Sequence, residues 1–494
     1  MHKPAREIDC AHPQGDDSHT GRRLGRILIG EPDPSLARFG GLVVAGELSR
    51  QLDLMGKIDR ELSLERRARP VKVRRRGASP SELVLALVEC QLVGGAVFSD
   101  LEEVRADDAG GRLRIVSRTP SAPAALQRAK DFRRVHCQRV ERALATAGHE
   151  LDRLLGCDRS MELATVDLDA TQIEVYGRQK QGAARNRQGQ LSYAPHVAFW
   201  APTGRALTGE LVGGNREKLS GAECARIARR AKSLLPADHG PLCMRLDSAY
   251  YQIELLNALR ADRACFTVSV PRNQAMWKTL AQIPDDAWQD ALDMPGSQVA
   301  ETTYTPDGWK HEPLRLVIRR SEFTAAEIAK HKGSRRLKTI HPQQLALALD
   351  GQLDRVYGYS FILSDIHWAP TTWIEHFHRH RAQIEERLKD AKLGQALRHL
   401  PSGDEHANRV WMTAALAAVN LTAFCCDLCP AAGASAGPDT RPQRRHAKAL
   451  RNLLFCIPLR IVRTARRLIL RPPAGFRHAS ILQDTLDAIH ALGP

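Results

Sequence analysis

The sequence predicts an α/β fold in which a mixed sheet occupies the middle of the chain and helices precede and follow it. Between about residues 42 and 155 the apolar residues have helical spacing, with breaks at Gly and Pro. From Leu163 onward, short segments alternate apolar and polar residues, which is typical of strands. With 494 residues, of which 43% are hydrophobic, the chain can bury a large core without disulfides.

The segments after Leu163 also predict the order of the strands. Residues 165–171 alternate with period two, which puts Asp167 and Asp169 on one face of the first strand. Two strands, a helix, a strand, a helix and a fifth strand follow at residues 196–200, 206–212, 221–235, 242–246, 253–260 and 264–270. This is the order of an RNase H-like core, in which the ends of the first and fourth strands meet.

Carboxylates stand at both of these strand ends. Asp169 closes the first strand and Asp247 directly follows the fourth, while Glu385 lies in a later helix. A single Asp at a strand end is more often a turn former or a helix cap. Phosphodiester cleavage, however, uses two Mg²⁺ ions about 3.5–4 Å apart, and Mg²⁺ prefers carboxylate oxygens. The three carboxylates together therefore predict a metal site, with Asp167 as an alternative to Asp169.

The helix that carries Glu385 is predicted over residues 378–392, where good helix formers dominate and no Gly or Pro intervenes. At about 100° per residue, four side chains share an arc of roughly 60°. They are His378, Arg381, Glu385 and Lys392. The charge pattern alone indicates a solvated, salt-bridged helix surface.

The spacing of these residues resembles a known signature. Cut-and-paste insertion-sequence transposases normally carry Tyr-x2-Arg-x3-Glu-x6-Lys, and here His378 stands where Tyr is usual. Asp169-Ala-Thr171 and Asp247-Ser-Ala-Tyr250 resemble the first and second motifs of the DDE transposases. Further similarity at residues 174–178, 401–409 and 417–421 brings the chain close to the insertion-sequence group numbered thirteen-eighty.

The resemblance implies that Asp169, Asp247 and Glu385 are catalytic and bind two Mg²⁺ ions, with Mn²⁺ as a substitute. It implies that Arg381 and Lys392 hold phosphates near the scissile bond. His378 either holds a phosphate when protonated or replaces the packing of Tyr.

The resemblance also implies a reaction and its partners. Water nicks the end of the element, the freed 3′-OH attacks the opposite strand through a hairpin, and the excised end joins target DNA. The partners are double-stranded DNA, as terminal inverted repeats and as target, and a second copy of the chain in a synaptic dimer.

Between Asp247 and Glu385 lie 137 residues, more than such a core needs. Strand-like segments at residues 299–304, 314–318 and 357–363 predict an inserted β subdomain at about 275–360. Related transposases use an aromatic residue of this insertion to hold a base flipped from the transposon end. The candidates are Trp277, Trp288 and Trp309, and core packing is the other interpretation of each.

The charge indicates a polyanionic partner. The formal net charge is +16, and residues 440–483 contain eleven Lys or Arg and no Asp or Glu. A second basic cluster at residues 66–76 includes Arg74, Arg75 and Arg76. A helix after Pro120 that carries Arg128 and Lys130 is a candidate recognition helix of helix-turn-helix type. A solubilising surface is the alternative explanation of these basic segments.

The predicted organisation has six parts. They are a disordered lead-in (1–30), a helical N-terminal DNA-binding region (31–158), the first part of the core (159–274), the inserted subdomain (275–360), the second part of the core (361–432) and a basic helical C-terminal region (433–494). The N-terminus has no apolar run typical of a signal peptide, and the most apolar segment, 412–426, is shorter than the ~20 residues of a membrane span. That segment is predicted to be a buried helix, and no membrane partner is expected.

Eleven cysteines without regular spacing are typical of a reducing cytoplasm. The resemblance implies that this is the cytoplasm of a prokaryote, with the protein on the nucleoid, and that the chain is a DNA transposase of an insertion sequence. Two other classes stay open: a transposase-derived DNA-binding regulator without catalysis, and an RNase H-like structure-selective nuclease.

Overall fold

A computed structural model of the chain describes residues 27–63, 77–177, 179–330, 335–429, 445–465 and 467–493. The chain divides into two compact units, Met1–Pro34 and Ser35–Pro494. Residues 27–34 of the first unit are exposed and have no helix or strand. Most of the predicted lead-in and the whole basic cluster at 66–76, with Arg74, Arg75 and Arg76, lie outside the described residues. The domain boundaries inside the second unit stay predictions.

The second unit begins with a short strand and a helical segment, as the apolar spacing predicts. Its described elements are β1 (Leu36–Ala37), α1 (Val43–Gln51), α2 (Leu54–Ser63), α3 (Pro80–Leu92), α4 (Leu101–Ala106), α5 (Ala122–Ala129) and α6 (Arg134–Leu154). Helix α3 starts where its capping residues predict. The backbone N–H of Glu82 donates to Ser79 Oγ, the Glu82 side chain accepts from the Ser79 backbone, and Pro80 occupies the first turn.

The sheet segment follows α6. Its elements are β2 (Ala164–Ala170), β3 (Ile173–Glu174), β4 (Ala184–Arg185), β5 (Leu191–Tyr193), β6 (His196–Trp200), β7 (Arg205–Glu210), α7 (Gly221–Lys232), β8 (Leu242–Leu246), α8 (Ile253–Ala261) and β9 (Cys265–Val270). Strands β7, β6, β2, β8 and β9 are neighbours in that order, with β2, β8 and β9 parallel and the pairs β2–β6 and β6–β7 antiparallel. The predicted succession of strands and helices is confirmed.

The parallel pairing of β2 and β8 positions the predicted carboxylates. Leu168 lies opposite Leu246 in the register of these strands. The next residues are Asp169 in β2 and Asp247 directly after β8. The two aspartates therefore lie side by side at the same edge of the sheet.

The inserted segment contains α9 (Gln274–Leu280), β10 (Gln289–Asp290), β11 (Ser297–Tyr304), β12 (Leu314–Thr324), α10 (Ala325–Lys330), α11 (Pro342–Leu349) and β13 (Arg355–Ser364). Strand β13 pairs with β9 in antiparallel fashion, so that the inserted strands join the central sheet, which has nine strands in the order β10-β11-β12-β13-β9-β8-β2-β6-β7. Strands β3, β5 and β4 form a separate small sheet. The predicted inserted strands exist. They extend the central sheet because β13 uses the free edge of β9.

The last part of the chain contains α12 (Thr371–Arg379), α13 (Gln383–Gly394), α14 (Glu405–Leu428), α15 (Ala447–Leu450), β14 (Leu459–Arg463), β15 (Leu468–Arg471) and α16 (Ala479–His490). The predicted helical C-terminal region contains α15 and α16 but also two strands that the sequence did not predict. Strands β14 and β15 form a hairpin that pairs with β1 at the other end of the unit. Strand β14 contains the β-branched residues Ile461 and Val462, which favour a strand once β1 supplies a partner.

Helix α14 runs through the core and confirms the predicted buried helix. Among the described residues it is the one helix long and apolar enough to cross a membrane, yet 83% of its most apolar window is buried inside the fold. Trp411 and Phe424 on this helix are fully buried. The core helix of a globular protein shows the same properties.

Candidate catalytic cleft

An open cleft of about 810 Å³ lies at the carboxyl ends of β2 and β8. Asp169, Asp247 and Glu385 all line it, together with Lys392. Asp169 and Asp247 come from adjacent parallel strands, and Glu385 comes from the first turn of α13. The structure therefore brings together the three carboxylates that the sequence predicts.

Asp169 is the most buried of these carboxylates, with 9% of the residue exposed. The pKa of Asp169 is raised from 3.8 to about 7, chiefly by burial and then by the charge of Asp247, with a smaller contribution from Glu385 and an opposing effect of Arg381. Its Oδ1 accepts a hydrogen bond of 2.8 Å from the backbone N–H of Ala170. The carboxylates thus repel each other across the cleft.

Asp247 is oriented by the turn that follows β8. Its Oδ1 accepts from the backbone N–H of Ala249 at 2.8 Å, so that Asp247 caps the 3-10 turn Ser248–Tyr250. Beneath this turn, the buried Tyr250 hydroxyl lies 2.7 Å from Nδ1 of His196. The capping role and the place in the cleft are compatible, because capping engages only one carboxylate oxygen.

Glu385 stands farther out, with 69% of its side chain exposed. The Arg381 guanidinium lies between the carboxylates, with Nη1 3.5 Å from Asp169 Oδ2 and Nη2 3.9 Å from Glu385 Oε1. As the side chains stand, no three His, Cys, Asp or Glu residues in the described ranges are grouped closely enough to hold a metal ion. The donor chemistry nevertheless fits a hard divalent cation, since a cation would relieve the repulsion that raises the pKa of Asp169.

Asp167 shares a strand with Asp169 but belongs to the core. It is fully buried and accepts two hydrogen bonds from Arg245, at 2.6 Å from Nε and 2.7 Å from Nη2. Arg245 also donates to the backbone oxygen of Phe377 at 2.9 Å, which ties β8 to α12. Of the two alternatives for the first carboxylate, Asp169 lines the cleft and Asp167 forms a buried ion pair.

The prediction of one continuous helix over residues 378–392 was wrong. Helix α12 ends at Arg379, a 3-10 turn spans His380–Ala382, and α13 begins at Gln383. A 3-10 turn rotates about 120° per residue instead of 100°, so three residues shift the two helices by roughly 60°. His378 is buried in α12 before this break and is not among the described residues that line the cleft with Glu385.

His378 is buried, and its ring is held by two hydroxyl groups. Nδ1 lies 2.9 Å from Thr267 Oγ1 and Nε2 lies 2.9 Å from Ser269 Oγ. Burial, followed by the charge of Arg381, lowers the pKa of His378 from 6.5 to about 3. The structure therefore supports the packing interpretation of His378 over phosphate binding.

This environment gives His378 a measurable effect on stability. The unfolded chain takes up a proton near pH 6.5 and the folded chain does not, so the folded state loses stability as the pH falls below 6.5. Between pH 7.5 and pH 5 we expect wild type to lose about 2 kcal/mol relative to the variant His378→Gln. Urea denaturation of both proteins at the two pH values checks this, and an equal change of stability in both would contradict it.

The two cations that the sequence predicts beside the carboxylates, Arg381 and Lys392, both lie near them. Lys392 Nζ donates to Thr171 Oγ1 at 2.8 Å, which connects the third sequence motif to the first. Burial lowers the pKa of Lys392, and the nearby charge of Arg398 adds to this. Both Lys392 and Arg381 lie where a phosphate near the carboxylates would be within reach.

The other predicted DNA contacts lie elsewhere. Helix α5 ends at Ala129 instead of continuing to residue 134, so Arg128 lies in its last turn and Lys130 beyond it. The Arg128 side chain is 3.4 Å from Asp131 Oδ2. A role for these two residues in DNA binding stays a prediction.

The three tryptophan candidates pack against other side chains. Trp277 contacts the rings of Tyr359 and Phe361. Trp309 is 7% exposed and its Nε1 donates to the backbone oxygen of Glu312. The Arg320 guanidinium lies 4.2 Å from the ring centroid of Trp288. None of the three is among the described residues that line the cleft.

Sequence reasoning missed other residues that line the cleft. They are Tyr176, Lys180, Lys389 and Arg398. Helical periodicity could have identified Lys389, because it follows Glu385 by one helical turn on α13 and so lies on the same face. Tyr176, Lys180 and Arg398 lie outside helices and strands, where no periodicity indicates which way a side chain points.

The mixed sheet and its cleft define an α/β protein with clustered carboxylates flanked by cations, a type of site suited to phosphoryl transfer. The family model described as "Transposase DDE domain group 1" matches residues 35–494. The chain belongs to this family and is a DNA transposase of the DDE type.

A solved structure described as a cryo-EM structure of the piggyBac transposase synaptic complex with hairpin DNA is similar at 11% identity and a TM-score of 0.39. The similarity covers 84% of this chain and 79% of that chain. No curated protein sequence matches the chain.

Proposed function

We propose that this chain is the transposase of an insertion sequence, built on an RNase H-like core, which binds terminal inverted repeats and cuts and joins DNA there. The observation that carries the proposal is the convergence of Asp169, Asp247 and Glu385 on one cleft at the edge of the parallel strands. The order β7-β6-β2-β8-β9, with its parallel and antiparallel pairs, supports the RNase H-like core.

Asp169, Asp247 and Glu385 would hold two Mg²⁺ ions, or Mn²⁺ in their place. Bound divalent ions supply electrophilic stabilisation of the oxygens that attack and leave phosphorus. The chain itself contributes the placement of these ligands: β2 and β8 hold the two aspartates, and Arg381 lies between Asp169 and Glu385. Arg381 can hold a phosphate through its planar fork, and Lys392 through its point charge.

The proposed reaction has four steps at this site. Water nicks one strand at the end of the element, and the freed 3′-OH attacks the opposite strand to give a hairpin and release the flanking DNA. A second water opens the hairpin and regenerates the 3′-OH, which then attacks a phosphodiester of the target DNA and releases a target 3′-OH. Two ends in one complex require at least a dimer of the chain on double-stranded DNA. The setting is the nucleoid in a prokaryotic cytoplasm.

The test is cleavage of a labelled duplex that carries the terminal repeat of the element, with Mg²⁺, by wild type, Glu385→Gln and Glu386→Gln. Glu386 is the matched control, because it is exposed on the same helix outside the cleft. We expect wild type and Glu386→Gln to nick at the repeat boundary. Glu385→Gln should bind the duplex normally and lose at least 100-fold in nicking rate, about 2.7 kcal/mol in the barrier.

The other classes predict different outcomes in the same experiment. A DNA-binding regulator binds the repeat in all three forms and cleaves it in none. A structure-selective nuclease cleaves but does not join the product to a second DNA, so a strand-transfer assay with a labelled target plasmid separates it from a transposase. Loss of nicking in both glutamate variants alike would contradict the assignment of Glu385.

A further inference from the structure

The catalytic cleft extends well beyond its carboxylates. Its other wall is formed by the segment around and after β3, by α13 and by the residues that follow α13, and it includes Tyr176, Lys180, Lys389 and Arg398. Tyr176 lies in the stretch 174–178 that resembles the insertion-sequence group, but neither that resemblance nor the proposed metal site gives these four residues a role. This group is called the outer wall below.

The cations of the outer wall lack acidic partners in the described part of the chain. They differ in this from buried or half-buried arginines of the sheet such as Arg205, which pairs with Asp152, and Arg315, which pairs with Glu301. Within the described ranges, neither Lys180, Lys389 nor Arg398 has a carboxylate within 4.0 Å of its charged nitrogens. Lys180 Nζ instead donates to the backbone oxygen of Leu400 at 2.6 Å.

The outer wall also places a cation near Lys392 of the catalytic cleft. Burial and then the nearby charge of Arg398 lower the pKa of Lys392, and its hydrogen bonds among the described residues go to a hydroxyl and a carbonyl oxygen. Beyond the metal-site carboxylates, the acidic side chain that lines the cleft is Glu174, and its Oε2 lies 3.4 Å from Gln190 Nε2. Like charges that are close together without counter-charges are unfavourable in the free protein and favourable once a polyanion binds.

The aromatic member of the outer wall is free to contact a ligand. Tyr176 is 79% exposed although it lines the cleft. An exposed aromatic ring next to unpaired cations combines the two contacts that proteins use for single-stranded nucleic acid, namely stacking on a base and ion pairing with the backbone.

We propose that the outer wall is a binding subsite for an unpaired DNA strand next to the scissile phosphate, in which Tyr176 stacks on a base while Lys180, Lys389 and Arg398 contact successive phosphates. The proposal rests on the proposed function, because it assumes that DNA enters this cleft. The protein is then expected to prefer DNA with unpaired bases close to the cleavage position, and the residues of the outer wall create this preference.

The structure limits which nucleotide Tyr176 can reach. Tyr176 follows Asp169 by seven residues, which span at most about 24 Å of extended chain. At about 3.4 Å per nucleotide along one strand, this corresponds to no more than about seven nucleotides from the scissile phosphate. The stacked base therefore lies within a window that can be scanned.

The first test measures binding without cleavage, in EDTA, by fluorescence anisotropy of a labelled single strand and the matching duplex. Tyr176→Ala should weaken single-strand binding about 10-fold and duplex binding less, while Tyr176→Phe should bind as wild type because the ring is retained. Arg398→Ala should lower the slope of log K against log salt by about 0.7 for the single strand. Arg229→Ala is the control, since it removes an exposed cation that pairs with Asp262 outside the cleft, and it should change neither.

The second test places 2-aminopurine, singly, at each of the seven nucleotides beside the cleavage position in an unpaired strand. Stacking on the Tyr176 ring quenches the fluorescence, so wild type and Tyr176→Phe should quench one or two positions more strongly than Tyr176→Ala does. Identical emission for all three proteins at every position, together with unchanged affinity of Tyr176→Ala, overturns the proposal.

Both tests are independent of catalysis. If no DNA is cleaved but Tyr176→Ala loses single-strand affinity and quenching, the subsite stands and the proposed function fails. If the carboxylate variants lose cleavage while Tyr176→Ala and Arg398→Ala bind as wild type, the proposed function stands and the subsite is wrong.

Discussion

Asp167→Asn is expected to lower the free energy of unfolding by about 3–5 kcal/mol, the typical cost of breaking a buried ion pair by removing one partner. Asp167 is fully buried and holds Arg245 through two short hydrogen bonds. The amide of Asn can accept only one of them and leaves the guanidinium charge uncompensated. Arg245 also donates to the backbone oxygen of Phe377 in the last turn of α12. The variant should therefore also destabilise the segment that leads from α12 to Glu385.

Urea denaturation at pH 7.5 measures this effect. Arg245→Met is a useful companion, because alone it leaves the Asp167 charge buried, whereas the double variant Asp167→Leu/Arg245→Met removes both charges and should recover part of the stability. A loss below about 1 kcal/mol for Asp167→Asn would show that the ion pair contributes little.

Asp169→Asn is expected to have the opposite effect on stability and to abolish activity. At pH 8 the folded chain keeps the Asp169 carboxylate ionised at a cost, since burial and the charge of Asp247 raise its pKa to about 7. Asn cannot ionise, so the variant should be more stable than wild type by a few kcal/mol in EDTA at this pH. Its nicking rate should fall at least 1,000-fold, about 4 kcal/mol in the barrier, because the cleft loses a proposed metal ligand.

The pH dependence of this stability difference follows from the sign of the shift. Between about pH 4 and pH 7 the folded chain binds more protons at Asp169 than the unfolded chain does, so wild-type stability from this group falls as the pH rises. The advantage of Asp169→Asn should therefore be absent near pH 4, grow up to about pH 7 and stay constant above it. Thermal unfolding in EDTA at pH 4.5, 6 and 8 tests this course, and a constant difference at the three pH values would contradict it.

The contrast between Asp167 and Asp169 shows what the sequence could and could not predict. Asp167 and Asp169 lie on the same face of one strand, so the alternating pattern could not decide which of them is the first carboxylate of the site. The cross-strand position of Arg245, opposite Asp167 in the register of β2 and β8, separates them. A pairing between residues 78 positions apart in the chain is not visible in local periodicity.

The family was accessible from the sequence because its motifs are short and local. Asp169-Ala-Thr171, Asp247-Ser-Ala-Tyr250 and the spacing of Arg381, Glu385 and Lys392 indicated a DDE transposase, and the family match over residues 35–494 confirms it. Assignment to the insertion-sequence group numbered thirteen-eighty stays a prediction. The roles of the individual site residues also stay predictions until the variants above are measured.

The sequence by itself determined the strands and helices of the sheet, their succession, the helix start at Ser79 and the buried apolar helix, because periodicity, capping and burial preference act over a few residues. Tertiary structure decided four things: which aspartate faces the cleft, where the helix before Glu385 breaks, which edge β13 extends, and how β14 and β15 pair with β1. Each depends on a contact between residues far apart in the chain. Such contacts select among conformations that local preference leaves nearly equal in free energy.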